Sequence, residues 1–193
     1  DLDASNGGTL GVTVDLAAGT AIDGFGDTDT FSGVEQVRGT SQSDIFTGAS
    51  GTQGFIGLAG NDTIDGGTGG ADEVRYDIDE REGGFAGVTV NLATGTAIDG
   101  FGDTDTLTNI ERIRGTDQDD FLTGDANNNR FRSNGGNDTI DGGAGVDEVD
   151  YVGEENEGAL SGVNVNLATG VATDAFGDTD TISSVENIRG TGN

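Results

Sequence analysis

Residues 115–150 divide without remainder into four nine-residue segments, GTDQDDFLT, GDANNNRFR, SNGGNDTID and GGAGVDEVD. Leu122, Phe131, Ile140 and Val149 return at every ninth residue. Two places before each stands Asp120, Asn129, Asp138 or Asp147. A period of nine matches neither the 3.6-residue turn of a helix nor the plain two-residue alternation of a hairpin sheet. Residues 39–75 repeat the frame as GTSQSDIFT, GASGTQGFI, GLAGNDTID and GGTGGADEVR, the last one residue longer. Their apolar positions are Phe46, Phe55, Ile64 and Val74, and their turn positions are Asp44, Gln53, Asp62 and Asp72.

Each nonapeptide splits into a six-residue turn and a three-residue strand. Glycine allows the positive φ that brings backbone carbonyls inward. The apolar residue near the end points to a core. Two nonapeptides make a coil of about eighteen residues with a turn on each side, so turns stacked on one side are alternate repeats. A hard cation needs about six to eight oxygens, and two stacked turns can supply them from carboxylates and carbonyls. One side pairs Asp44 with Asp62 and Asp120 with Asp138; the other pairs Gln53 with Asp72 and Asn129 with Asp147. An amide oxygen ligates but brings no charge, so the Asp/Asp side is expected to bind more tightly. Gly60, Gly69, Gly136 and Gly145 are the turn glycines expected beside the ion.

Residues 142–150, GGAGVDEVD, match G-G-x-G-x-D-x-U-x, with U a large apolar residue, and residues 135–140, GGNDTI, carry the same turn. In these segments the chain resembles the RTX (repeats-in-toxin) family of secreted bacterial proteins. That resemblance implies an all-β fold, a right-handed parallel β-roll or β-solenoid, with a row of calcium ions along each side. It also implies export through a type I secretion channel, which passes an unfolded chain.

Composition is consistent with a metal-dependent fold. The 193 residues include 37 glycines and no proline, and the net charge is −28 from 36 acids against 8 bases, all arginine. Such a chain stays disordered unless its charge is neutralised. The periodic placement of the acids favours neutralisation by bound calcium. Nucleic acid and anionic membrane surfaces are repelled by the same charge. Cys, His, Lys, Met and Trp are absent. Zinc held by His or Cys, a Ser-His-Asp triad, a cysteine nucleophile and a lysine Schiff base are thereby excluded. No apolar run reaches the length of a membrane span.

A longer repeat contains the blocks. Residues 11–40, 87–116 and 162–191 align at offsets of 76 and 75. The expected organisation is a partial unit of altered coils over 1–38, a full unit over 39–114, a second over 115–189, and the start of another at 190–193. Each full unit has a nonapeptide block (39–75, 115–150), an acidic connector (76–86, 151–161) and altered solenoid coils (87–114, 162–189). The connectors differ most between copies and read as surface excursions. Neither end of the chain resembles a solenoid cap, so further repeats are expected on both sides. In the altered coils, GDTDT turns bring together Asp27 and Asp29, Asp103 and Asp105, and Asp178 and Asp180, with Glu35, Glu111 and Glu186 six residues on. Paired carboxylates repel without a cation between them, so a further calcium site is expected there. Tyr76 and Tyr151 sit at equal phase as covers for the blocks, or as contacts for a sugar. Arg38, Arg114 and Arg189 read as counter-charges.

The function expected is that of a calcium-binding, calcium-stabilised structural module of a secreted or cell-surface bacterial protein: an extender, adhesin stalk, or surface-layer or filament piece. It is not expected to be an enzyme. Its partners would be calcium ions and neighbouring repeats of the chain or filament. The alternative is a carbohydrate- or surface-binding module using a flat solenoid face, with surface glycans as partner. A β-helix polysaccharide lyase is a third reading, weakened because every candidate acid recurs in each unit.

Overall fold

The computed structural model describes residues 8–152, 159 and 161–192. Nearly every strand is three residues long, because one nonapeptide leaves only three after its turn. In the typical strand the middle side chain is buried and its neighbours face outward, as in Ile45–Thr47, Thr63–Asp65 and Arg130–Arg132. The buried ones are the ninth-residue positions: Phe46, Phe55, Ile64, Val74, Leu122, Phe131, Ile140 and Val149 are at most 1% exposed.

Successive strands alternate between two sheets, and strands within a block pair in parallel. Ile45–Thr47 pairs with Thr63–Asp65, and Phe121–Thr123 with Thr139–Asp141. On the opposite sheet, Gly54–Ile56 pairs with Glu73–Arg75, and Arg130–Arg132 with Glu148–Asp150. Partners lie about one coil apart, which places the apolar residues in two facing columns. One column runs Val37, Phe55, Val74, Ile113, Phe131, Val149 and Ile188 in register. The other includes Phe46 and Ile64, then Leu122 and Ile140. Across the core, the Phe46 and Phe55 rings stack with centroids 6.2 Å apart. The fold is a parallel β-roll.

The segments between blocks depart from simple coils. Thr89–Asn91 turns back into Thr96–Ile98, which turns again into Thr104–Thr108, all antiparallel. The first strand of this meander pairs in parallel with Phe121–Thr123 of the following block, and the last with Thr63–Asp65 of the preceding one. Asn164–Asn166, Val171–Thr173 and Thr179–Ser183 repeat the pattern. Each meander adds two strands to one sheet and none to the other, so the described strands number thirteen in one sheet and seven in the other. Two strands at about 4.8 Å each lengthen one wall by roughly 10 Å per unit. The expected altered coils are therefore antiparallel insertions in a parallel roll.

The connector after the first block is also more than a surface excursion. Tyr76 is 1% exposed, and a four-residue helix, α1 (Asp79–Glu82), follows with Asp79 buried. Most of the second connector lies outside the described residues, but Tyr151 is buried as Tyr76 is. Seven of the eight arginines lie on strands of the seven-stranded sheet: Arg38, Arg75, Arg112, Arg114, Arg130, Arg132 and Arg189. They pair with acids there, Arg75 and Arg114 with Asp77, and Arg130 and Arg132 with Asp150. Arg38 reaches Glu82 of α1. The arginines thus balance that wall, while the turns along both edges stay acidic.

Candidate metal centre

The turns owe their shape to left-handed residues at two fixed positions. Gly67 and Gly143 have φ of 92° and 85° at the second turn position, where Leu58 and Asn134 adopt 71° and 70°. Gly60, Gly136 and Gly145 have φ of 116°, 106° and 127° at the fourth. Gly69, in the turn with the extra residue, has φ 75°. The fourth-position glycines also meet the neighbouring coil. A Cβ on Gly136 would lie 2.5 Å from the backbone carbon of Gln118. At the first position, Gly57 makes room for the aspartate that folds over it: a Cβ there would lie 2.0 Å from Asp62 Oδ2.

The acids form ladders along both edges of the roll. On the first edge, Asp44 N–H donates to Asp62 Oδ1 at 2.8 Å, and Asp62 N–H donates to Asp105 Oδ1 at 3.0 Å. In the next unit Asp120 N–H donates to Asp138 Oδ1 at 2.9 Å, and Asp138 N–H to Asp180 Oδ1 at 3.1 Å. On the second edge, Gln53 N–H donates to Asp72 Oδ1 and Asp72 N–H to Glu111 Oε2. Asn129 N–H donates to Asp147 Oδ1 and Asp147 N–H to Glu186 Oε2. One carboxylate oxygen per rung thus holds the coil before it.

What the second oxygen does separates the rungs. Asp62 Oδ2, Asp138 Oδ2 and Asp147 Oδ2 are buried with no hydrogen-bond partner. A buried ionised oxygen without a partner is expensive, and a cation is the group that repays it. Asp44 and Asp120 differ. Asp44 accepts from Val12 N–H on Oδ1, from Thr40 N–H on Oδ2 and from the Thr40 hydroxyl. Asp120 accepts from Val88 N–H, Thr116 N–H and the Thr116 hydroxyl in the same way. These two turns, G-T-x-x-x-D in both blocks, close on their own threonine and cap the block. Among the described residues no three or more acidic side chains converge as a metal cage. A cation in these turns would draw much of its shell from backbone carbonyls.

The GDTDT turns are split between the edges. Asp105 and Asp180 are fully buried and extend the first ladder. Asp103 Oδ2 accepts from Gly60 N–H at 2.9 Å and Asp178 Oδ2 from Gly136 N–H at 3.3 Å, both on that edge. Glu111 and Glu186 lie across a strand on the other edge, so the neighbouring aspartates and the glutamate six residues on do not share one site. Asp27 and Asp29 are exposed, because Thr28–Thr30 is the outermost strand of the sheet. The tyrosines are not available to sugar. Tyr76 and Tyr151 hydroxyls donate to Asp105 Oδ2 and Asp180 Oδ2 at 3.1 and 2.8 Å from within the core.

Burial pushes the Asp62 carboxyl up to about 8, with Asp105 and Asp44 adding repulsion while the Asp44 N–H pulls it down. Burial likewise pushes Asp138 to about 9, aided by Asp120 and Asp180. Asp105 is raised to about 7 and Asp180 to about 6, mainly by burial. In the metal-free fold these groups prefer their protons. The stability they lend is full below the unfolded value of 3.8 and is lost as pH rises through about 6 to 9. Metal-free protein is expected to hold more β-structure at pH 5 than at pH 9, and the calcium needed for half-folding to fall as pH drops from 9 to 5, because protons already stabilise the metal-free fold. Circular dichroism at both pH values, with and without chelator, checks both directions.

A sequence model of the RTX calcium-binding nonapeptide repeat matches the chain in four copies, over residues 55–72 and 114–149. Comparison with curated proteins gave no match. The matched segments hold Asp62, Asp138 and Asp147, the nonapeptide aspartates with a buried unpartnered oxygen. Over these two segments the chain carries RTX calcium-binding nonapeptide repeats, a repeat type that binds calcium.

Proposed function

We propose that the chain is a calcium-folded structural module of a secreted or cell-surface bacterial protein, serving as an extender, stalk, or surface-layer or filament piece. The observation that carries this reading is the set of buried, unpartnered carboxylate oxygens, at Asp62 and Asp138 on the first edge and at Asp147 on the second. Calcium ions sit in the turns of Asp62, Asp72, Asp138 and Asp147, completed by turn carbonyls. On the first edge the strongest sites lie between Asp62 and Asp105 and between Asp138 and Asp180. Each ion adds its binding free energy to folding. Extracellular calcium modules bind at roughly 10⁻⁴ to 10⁻³ M, so the chain stays open at low calcium and closes outside the cell. An open chain is what a secretion channel passes.

Among the described residues, the cleft beside the 89–108 meander is lined almost wholly by neutral turn and strand residues. The notch of about 470 Å³ between the 92–95 turn and residues 106–110 has Asp125 as its one ionisable lining residue. Small-angle scattering tests the proposal. The radius of gyration is expected to fall from roughly 47 Å, the value for an unfolded chain of this length, to below about 25 Å on adding calcium. A radius unchanged by calcium contradicts it. One observation favours the second reading, a surface-binding face. Ile45, Ile98, Phe121 and Val171 are 42–56% exposed on the outer face of the longer sheet. Binding on a glycan array, lost on replacing Phe121 by serine, would support that reading.

A further inference from the structure

Outside the nonapeptides, two more buried carboxylates meet at Gly100. Asp79, the first residue of α1, is 0% exposed. Its Oδ2 accepts from Gly100 N–H at 3.2 Å, while its Oδ1 is buried and unpartnered. Asp99, immediately before Gly100, is also 0% exposed. Its Oδ1 accepts from Phe101 N–H and Asp103 N–H at 2.9 and 2.8 Å, and its Oδ2 is buried and unpartnered. The connector presses on the turn at this residue. A Cβ on Gly100 would lie 3.0 Å from Asp79 Cβ and 3.3 Å from the Ala86 carbonyl oxygen. Ala86 N–H donates to the Gly100 carbonyl at 3.2 Å.

Two neighbouring buried carboxylates that repel each other, each with a spare oxygen, need positive charge between them. The nearby arginines Arg75 and Arg114 pair with Asp77 instead. The geometry points to a calcium site between Asp79 Oδ1 and Asp99 Oδ2, which fastens the connector to the turn at 99–103. Backbone carbonyls and water complete the shell, since two carboxylates supply only part of the six to eight oxygens calcium takes. The sequence repeats the pair. Asp23, Asp99 and Asp174 share one phase, and Asp3, Asp79 and Glu154 share the other; positions 3 and 154 lie outside the described residues. Asp174 also keeps a buried, unpartnered Oδ2. The long unit thus binds an ion that the nonapeptide motif does not count.

This site rests on the calcium-binding reading of the chain, and the test separates the two. Native mass spectrometry of the intact chain in calcium counts bound ions. Asp79→Asn is expected to lose one ion, and an unchanged count overturns the site. Because the substitution can loosen the connector by itself, crystals of the unsubstituted chain grown in terbium provide the second measurement. An anomalous peak between Asp79 and Asp99 supports the site. Peaks in the nonapeptide turns alone overturn it and leave the general reading standing. No bound ion anywhere overturns both.

Discussion

Replacing Asp138 by alanine is expected to abolish folding at millimolar calcium, or to raise the calcium needed for half-folding at least about tenfold. Two losses combine. Asp138 Oδ1 holds Asp120 N–H at 2.9 Å in the buried ladder. Stranding that donor costs about 1–3 kcal/mol. Its Oδ2 is the unpartnered oxygen facing the turn. Losing a site occupied at a tenfold excess over Kd removes about 1.4 kcal/mol more. The sum approaches the lower end of the stability of a small domain, about 5–15 kcal/mol. Asp138→Asn separates the losses, because the amide oxygen can still accept from Asp120 while the charge is gone. It is expected to fall between wild type and Asp138→Ala. Asp117 is exposed and removes the same charge, so Asp117→Asn is the control. Equal calcium midpoints for Asp138→Asn and Asp117→Asn would contradict the ladder as a metal site.

The second large effect lies in the core. Phe131 is 0% exposed and stands in register between Ile113 and Val149. Each strand offers the core essentially one apolar side chain, so no neighbour on the same strand can close the gap. Phe131→Ala is expected to cost about 3–5 kcal/mol, measured by urea unfolding at saturating calcium. A loss below about 1 kcal/mol would mean that the column is not a packed core. The two substitutions address different links. One removes the charge balance that permits folding, and the other removes the apolar contact that rewards it.

The periodicity carried much of this. Every ninth-residue apolar side chain is buried where the frame puts it, because a fixed repeat length leaves a stacked coil one register to adopt. The meanders were less legible. Val88, Val90 and Leu92 alternate as any half-buried strand does, and alternation does not reveal whether the neighbouring strand runs parallel or antiparallel. The grouping of Asp103 and Asp105 with Glu111 failed for a related reason. Asp105 stands near the start of the strand Thr104–Thr108, which carries the chain from one edge of the roll to the other before Glu111 is reached. The threonine caps on Asp44 and Asp120 left a signal, G-T-x-x-x-D at the head of both blocks, that becomes meaningful only once the carboxylate is seen to be used up. Asp79 was hidden because it lies in the most variable segment, and its partner Asp99 meets it only through the fold.

In the proposed reading, calcium is the condition for folding. Far-UV circular dichroism during a calcium titration, with magnesium as the control, tests that most directly. The expected result is a coil spectrum in chelator at pH 8 that converts cooperatively to β-structure at micromolar to millimolar calcium, with magnesium ineffective. Magnesium demands a tighter octahedral shell and sheds water reluctantly, so these wide turns should not accept it. A β-spectrum already complete in chelator at pH 8, unchanged by calcium, would contradict the account.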